Sequence, residues 1–386
     1  MTKNLTISYL EKSIFGSSSR FKLKKTQEHE IFKDFKNSNI LIFGAAGSIG
    51  KAFSLKLKSY NINKIVFLDK DENSLADLNR EINLIYHSKI KREYVCQDLN
   101  NININKFLIS GKFTHFFNFA ALKHVRSEEN FHSMNYLIKT NCVSPFNLGN
   151  LNKMKHLKKI FFISTDKAAY PSSFMGCSKK FMENELFKLK IKYKKKFIST
   201  VRFANVAFSN GSLLKSIYEK TLLNYPVGVP NKIERYFVSH SEAADLCLLS
   251  LLNESDGSII IPAKKVIGKQ KKLKTLAIAI IKKMNKKPVL VKKISKTKYN
   301  EQQIVVEKKD IQGQKNKEFF HQKNEKTEIF NGDSRLRKIK LYRNYHYKLN
   351  RKNFDKTKSI HDFFGIFHKL YSLKRKSKNV FLKNII

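Results

Sequence analysis

The chain has 386 residues, with 76 Lys and Arg against 31 Asp and Glu, a formal charge of +45, and 41% hydrophobic residues that include 31 phenylalanines. That apolar share can bury a full core, which excludes a disordered polycation, and at roughly 150 residues per domain the length allows one large α/β unit with a smaller appendage. Cys96, Cys142, Cys177 and Cys247 stand far apart without CxxC or histidine-bearing metal spacing, so neither a disulfide framework nor a zinc site is indicated, and a reducing, cytoplasmic setting fits.

In chain order, residues 1–38 read as a polar lead-in, irregular or helical. Asn39 to Phe43 is an apolar run of strand length that feeds Gly44-Ala45-Ala46-Gly47-Ser48-Ile49-Gly50, and Ile49, Phe53, Leu55 and Leu57 then carry helical spacing. Lys64 to Leu68 is the next strand, ending at Asp69. Further strands are expected around Tyr94-Val95, Thr114–Phe119, Lys159–Ile163 and Ile198–Val201, with helix-length segments between them. That alternation predicts a Rossmann-type doubly wound parallel sheet. Ser241 caps a helix running through Leu252, Ser258–Ile261 is a strand, and Leu273–Met284 is a helix. The division expected is a lead-in at 1–38, a dinucleotide-binding domain with interleaved substrate segments at 39–265, a smaller C-terminal substrate region at 266–332, and a basic tail at 333–386. The tail holds 16 Lys/Arg and 3 Asp/Glu, a surplus of +13. No window reaches the roughly 18 apolar residues of a membrane span, so a soluble protein is expected.

Three glycines, Gly44, Gly47 and Gly50, alternate as GxxGxxG between a strand and a helix. Glycines alone would serve a tight turn, but in this context they let backbone approach a pyrophosphate and aim the helix N-terminal amides at it. Asp69, at the end of the second strand, stands where a carboxylate accepts from the ribose hydroxyls of NAD, while the adjacent Lys70 leaves NADP open. Asp98 and Leu99 follow the third strand, where Asp98 either meets the adenine or caps a helix. Asn118 to Ala121 puts small residues, Ala120 among them, at the end of the fourth strand, followed by Lys123 and His124. Ser164-Thr165-Asp166-Lys167 ends the fifth strand. Met175 and Lys179 lie one helical turn apart on one face of the following helix.

These residues carry a family resemblance. The glycine turn, Ala120-Ala121-Leu122-Lys123-His124-Val125-Arg126-Ser127-Glu128, Ser164-Thr165-Asp166-Lys167-Ala168, Met175 to Lys180, and Arg202 to Ser212 resemble an extended short-chain dehydrogenase/reductase of the CapD-like polysaccharide biosynthesis group, the UDP-N-acetylglucosamine 4,6-dehydratases. Arg235-Tyr236-Phe237-Val238, Gly313-Gln314-Lys315 and Glu318-Phe319-Phe320 fit the later pattern, so the likeness spans about 38 to 325. The usual Tyr-x-x-x-Lys is Met-x-x-x-Lys at Met175 and Lys179, as in one branch of the group. Tyr170 stands for the usual Asn, and Gln314 for the usual Glu.

The resemblance implies a tightly bound, recycled NAD or NADP, transient oxidation at C4 of the sugar, loss of water across C5–C6 and hydride return to C6. It assigns Lys167 as the base at C5, needing a lowered pKa, and Asp166 as the acid for the C6 hydroxyl, needing a raised one. Thr165 would handle the C4 hydroxyl, alone or with Ser164, and Lys179 the nicotinamide ribose. Asn205, Ser212, Lys123, His124 and Arg235 would hold a UDP-N-acetylhexosamine. Relatives commonly form homo-oligomers. The alternatives are a UDP-sugar 4-epimerase on the same fold and a non-catalytic nucleotide-sugar or polyanion binder. Most of the +45 is background composition rather than a specific nucleic-acid surface, and the tail is expected to make peripheral contact with an acidic membrane.

Overall fold

The computed structural model describes residues 6–86, 90–143, 148, 150–295, 300–307, 315, 317–340, 354 and 356–371. Six strands, β1 (Asn39–Phe43), β2 (Lys64–Asp69), β3 (Lys91–Cys96), β4 (His115–Asn118), β5 (Lys159–Thr165) and β6 (Phe197–Phe203), join Ser258–Pro262 in one parallel array. Its order is β3-β2-β1-β4-β5-β6-(Ser258–Pro262), the doubly wound arrangement the sequence predicts. Strand order reverses between β1 and β4. Phe43 pairs with Leu68 on one side and Asn118 on the other, so the segments after β1, β2 and β4 leave the sheet along one rim.

The inner strands are largely apolar because helices cover both faces, whereas the edge strand β3 carries Lys91, Arg92 and Glu93 and is only partly buried. Alternate residues divide between two cores: Ile40, Ile42, Phe67, Phe117 and Phe161 face one layer, and Leu41, Phe43, Val66, Phe116 and Phe162 the other. A third core fills the smaller unit, where Leu276 and Ile280 of the Leu273–Lys283 helix and Ile217 of the Leu213–Leu222 helix pack on Val227, Val229 and Ile304. Its three parallel strands, Val227–Pro230, Glu301–Glu307 and Lys287–Val291, come from both sides of residue 265.

Two segments differ from expectation. The boundary drawn at 332/333 falls inside a hairpin: Thr327–Phe330 pairs antiparallel with Asp333–Lys340, which pairs antiparallel with Ser258–Pro262 and extends the main sheet to nine strands. Asn331 and Gly332, at φ 39° and 63°, make the two-residue turn. Beyond it, Phe354 and the Ile360–Tyr371 helix return to the fold, with Phe354, Phe363 and Phe367 buried against Met134, Leu137, Phe174 and Phe181. The basic tail thus begins as a strand, and the apolar side of its helix is spent on the protein. The lead-in forms helices Ile7–Phe15 and Lys25–Phe35. Phe21, Ile31 and Phe35 enter the main core, and Arg20 Nε meets Glu242 Oε1 at 2.6 Å. Among the described residues no helix is long and apolar enough to cross a membrane.

Candidate functional site

At the rim between β1 and β4 the chain makes a cradle. Gly44 has φ +69°, and a Cβ there would lie 2.5 Å from the backbone nitrogen of Ala120; a Cβ on Gly50 would run into the carbonyl oxygen of Gly44. These two glycines let strand, turn and helix close on each other. Gly47 caps the Ser48–Lys56 helix, whose first-turn amides at Ser48, Ile49 and Gly50 have no helical acceptor and form its positive end. Ser48 Oγ accepts from the amide of Asn210 at 2.8 Å, tying the 205–212 loop to this turn.

Gly44, Gly47, Asp69, Asp98, Leu99 and Ala120 line one cleft. Asp69 accepts from the amides of Ala46 (3.0 Å) and Asp71 (3.2 Å), which fixes its carboxylate at the mouth. Asp98 accepts from the amide of Asn100 at 2.8 Å and from the Tyr136 hydroxyl at 2.5 Å, so it orders its own turn and also lines the cleft. Lys70 Nζ lies 4.6 Å from the Tyr136 ring centroid. A cradle that side chains would fill, free helix amides and a fixed carboxylate fit a dinucleotide.

The second cluster sits where β5 ends. Thr165 Oγ1 donates to Asp166 Oδ1 at 2.8 Å, and the Lys167 ammonium lies 3.2 Å from the same oxygen. Lys167 Nζ also reaches Glu318 Oε1 (2.9 Å) and Asn205 Oδ1 (3.3 Å). Arg235 Nε is 3.0 Å from Glu318 Oε1, and Asn205 Nδ2 donates to Glu318 Oε2 at 2.7 Å. Four residues named from sequence, Asp166, Lys167, Asn205 and Arg235, therefore converge, and they do so around one that was quoted without a role, Glu318.

That convergence corrects the expected proton affinities. Burial alone would raise Asp166, but the Lys167 charge, a hydrogen bond with Glu318 and the Thr165 hydroxyl bring it below the usual carboxylate value. Burial would likewise lower Lys167, but Asp166 and Glu318 outweigh it and hold the ammonium well above its ordinary value. The group pushed up is Glu318, to about 7, by burial and then by the Asp166 charge. Asp166 Oδ2 is buried with no donor among the described residues, and a proton on Glu318 would supply one. Lys315, brought down to about 8 by burial against the pull of Asp166, faces the same group.

Lys179 lies on the Phe174–Lys192 helix, and its Nζ donates to the carbonyl of Ile163 at 3.0 Å; burial lowers it to about 8. Met175 is not part of the ion cluster: its side chain, 3% exposed, belongs to the phenylalanine-rich core. Its amide donates to Glu128 Oε1 at 2.8 Å, and burial raises that carboxyl to about 7 against those backbone bonds. Lys123 Nζ donates to Ser209 Oγ at 3.1 Å, with loss of hydration and the Lys167 and Lys215 charges lowering it to about 8. His124 is exposed and packs against Gly211, where a Cβ would lie 2.6 Å from its Nε2. Ser212 caps the Leu213–Leu222 helix by accepting from Lys215 N at 3.3 Å. Tyr170 accepts from the amide of Lys323 at 2.7 Å; Gln314 lies outside the described residues.

A family model described as "Polysaccharide biosynthesis protein" matches residues 40–329, well over half of the chain. The chain belongs to this polysaccharide biosynthesis protein family. It is 29% identical over 259 residues to the capsular polysaccharide biosynthesis protein CapD of Staphylococcus aureus, covering 67% of this chain and 42% of that relative. It is 29% identical over 234 residues to a UDP-glucose 4-epimerase of Rickettsia bellii (59% and 66% covered). Against the inverting UDP-N-acetylglucosamine 4,6-dehydratase of Campylobacter jejuni it is 26% identical over 235 residues (59% and 67%). The match thus spans less than half the length of CapD. Among solved structures, Pen from Bacillus thuringiensis superposes with a TM-score of 0.65 at 19% identity, covering 81% of this chain and 90% of that one. The dTDP-glucose 4,6-dehydratase DesIV of Streptomyces venezuelae, solved with NAD and TYD bound, gives 0.53 at 16% identity (63% and 80%). Both likenesses concern the fold.

Beneath the candidate site the chain carries charges that its sequence did not single out. Arg202, fully buried, places its guanidinium 2.7 Å from both Glu183 and Glu325, and it also donates to the Phe320 carbonyl at 2.8 Å. Lys180 Nζ meets Glu325 at 2.7 Å, and Ser164 donates to Glu183 at 2.6 Å. The set ties β5, β6 and the 174–192 helix to the segment that carries Glu318. Lys180 and Glu183 lie in a helix rich in lysine and glutamate, so nothing in the sequence marked them.

Proposed function

We propose that the protein is a nucleotide-sugar 4,6-dehydratase acting on UDP-N-acetylglucosamine, with NAD or NADP in the glycine cradle. The observation that carries this is the acid–base cluster at the end of β5, Thr165-Asp166-Lys167, on the same sheet edge as the cradle. When bound, the dinucleotide would supply hydride acceptance from C4 of the sugar and hydride return to C6. Gly44, Gly47 and the amides of Ser48 to Gly50 would hold its pyrophosphate, Asp69 its adenosine ribose, Asp98 and Leu99 its adenine side, Ala120 its second phosphate and ribose, and Lys179 the nicotinamide ribose.

Thr165 would orient the C4 hydroxyl. Lys167 would hand its own proton to Asp166 and then remove H5, and Asp166 would pass that proton to the departing C6 hydroxyl. Arg235, Asn205 and Lys123 supply cations and an amide for the diphosphate, with Ser212 and His124 on the adjoining loop. Support comes from the Campylobacter relative, which bears this activity in its name, and from the Asp166–Lys167 pair, which suits an elimination; Met175, whose thioether cannot exchange a proton, speaks instead for a non-catalytic binder. The Rickettsia relative favours a 4-epimerase as the second reading.

Mass spectrometry after incubation with UDP-N-acetylglucosamine decides between them. A product lighter by one water supports the dehydratase, and a product of unchanged mass with inverted C4 supports the epimerase. No conversion, with no nicotinamide cofactor retained through mild purification, leaves a non-catalytic binder.

A further inference from the structure

Glu318 is an unusual occupant for this site. It is 3% exposed and held from both ends: its amide donates to Gln270 Oε1 at 3.1 Å, and its carbonyl accepts from Gln270 Nε2 at 3.0 Å. Its carboxylate receives Lys167 and Arg235 on one oxygen and the Asn205 amide on the other. Two cations and an amide donor converging on one buried point make an anion site, and here the anion is part of the chain. These are also groups that the proposed function gives to the substrate.

We propose that Glu318 is an internal stand-in for the substrate's diphosphate, a positioning residue that competes with it for Arg235 and Asn205 and yields them when the nucleotide binds. The inference rests on the reading of Arg235 and Asn205 as the diphosphate site. A charged Glu318 satisfies the cations of the free protein, so that buried Arg235 is never left unpaired. When a diphosphate takes those donors, Glu318 is left facing Asp166, and two carboxylates in contact favour sharing one proton. Lys167 then loses one of its two anions, which moves it toward the unprotonated form a base needs. The charged and titratable groups around Glu318 are Asp166 and Lys167 from the turn after β5, Arg235, and Lys315 from its own segment.

A site occupied by its own competitor binds ligand less tightly by the fraction of time it is free. Isothermal titration of the full chain with UDP tests this without turnover. Glu318→Gln keeps the shape and the bond to Asn205 but gives up the charge, and should bind UDP about threefold to tenfold more tightly than wild type. Glu318→Asp, whose shorter arm reaches the cations less well, should fall between the two. A merely structural role would weaken binding or leave it alone, so unchanged or weaker UDP affinity in both variants overturns the proposal. Arg235→Ala reports on the underlying reading separately: it should weaken UDP binding at least tenfold, and an unchanged affinity would mean that Arg235 does not hold the diphosphate, whatever the Glu318 variants do.

Discussion

Lys167 is held by two carboxylates from opposite directions, Asp166 one position before it and Glu318 a further 151 residues along the chain. Thr165-Asp166-Lys167 was legible as a motif because it closes a strand in a recognisable context. The proton affinities were not, since they are set by a partner that only the fold brings within 3 Å. Replacing either Lys167 by Ala or Asp166 by Asn should lower conversion of UDP-N-acetylglucosamine by at least about a hundredfold while leaving far-UV circular dichroism unchanged; retained activity in both would remove the role assignment. Glu128 offers a test of stability instead. Its carboxyl is raised from 4.5 to about 7, so between those values the folded protein holds the extra proton and stability falls as pH rises through the window. Glu128→Gln retains an acceptor for the Met175 amide and cannot ionise. In thermal melts it should gain on wild type between pH 5 and pH 8 by on the order of 2 kcal/mol, discounted for partial exposure, and an equal difference at both pH values would contradict the assignment.

At the scale of elements, inner strands such as β1, β2 and β5 were readable because they are buried and nearly all apolar, whereas the edge strand β3 is only partly buried and left Tyr94-Val95 as its trace. The hairpin at 327–340 was hidden by its charge: Arg335, Arg337, Lys338 and Lys340 made a strand look like the start of a basic tail. The Asn331-Gly332 pair was the available signal, a two-residue turn that demands positive φ at both positions. The cradle was legible to the residue, and its tightness gives a prediction. Gly50→Ala drives a methyl group into the Gly44 carbonyl, so the turn must shift. The expected outcome is loss of co-purifying nicotinamide cofactor together with a lower melting temperature, roughly 1–3 kcal/mol of stability, read by absorbance of the released cofactor and by calorimetry.

For the whole molecule, the lesson is how far the net charge misleads about where charge matters. The surface is overwhelmingly basic, whereas the buried set of Arg202, Lys180, Glu183 and Glu325 is balanced. Sequence offers no way to tell such residues from the many exposed lysines and glutamates, because only three-dimensional packing separates them. Arg202→Ala leaves the buried Glu183 and Glu325 with only Lys180 between them and should cost about 3–5 kcal/mol, measured by denaturant titration. Ending the chain at Lys340 would strip Phe354, Phe363 and Phe367 from Phe174 and Phe181. The shortened protein should melt earlier and self-associate in sedimentation, whereas a freely dangling tail would leave both properties untouched.

Arg335 Nη1 donates to the carbonyl of Lys22 at 2.6 Å, and Gln27 Nε2 reaches Asp333 Oδ2 at 3.2 Å. The Lys25–Phe35 helix is thus fastened to a strand made more than three hundred residues later. While the ribosome is still adding the intervening residues, Phe21 and Ile31 can settle on β1, but the far edge of the sheet stays open and its strand-pairing groups unmet. The nascent protein passes through a long interval in which that edge invites pairing with a neighbouring chain, and sealing it is the step at which a chaperone would matter most.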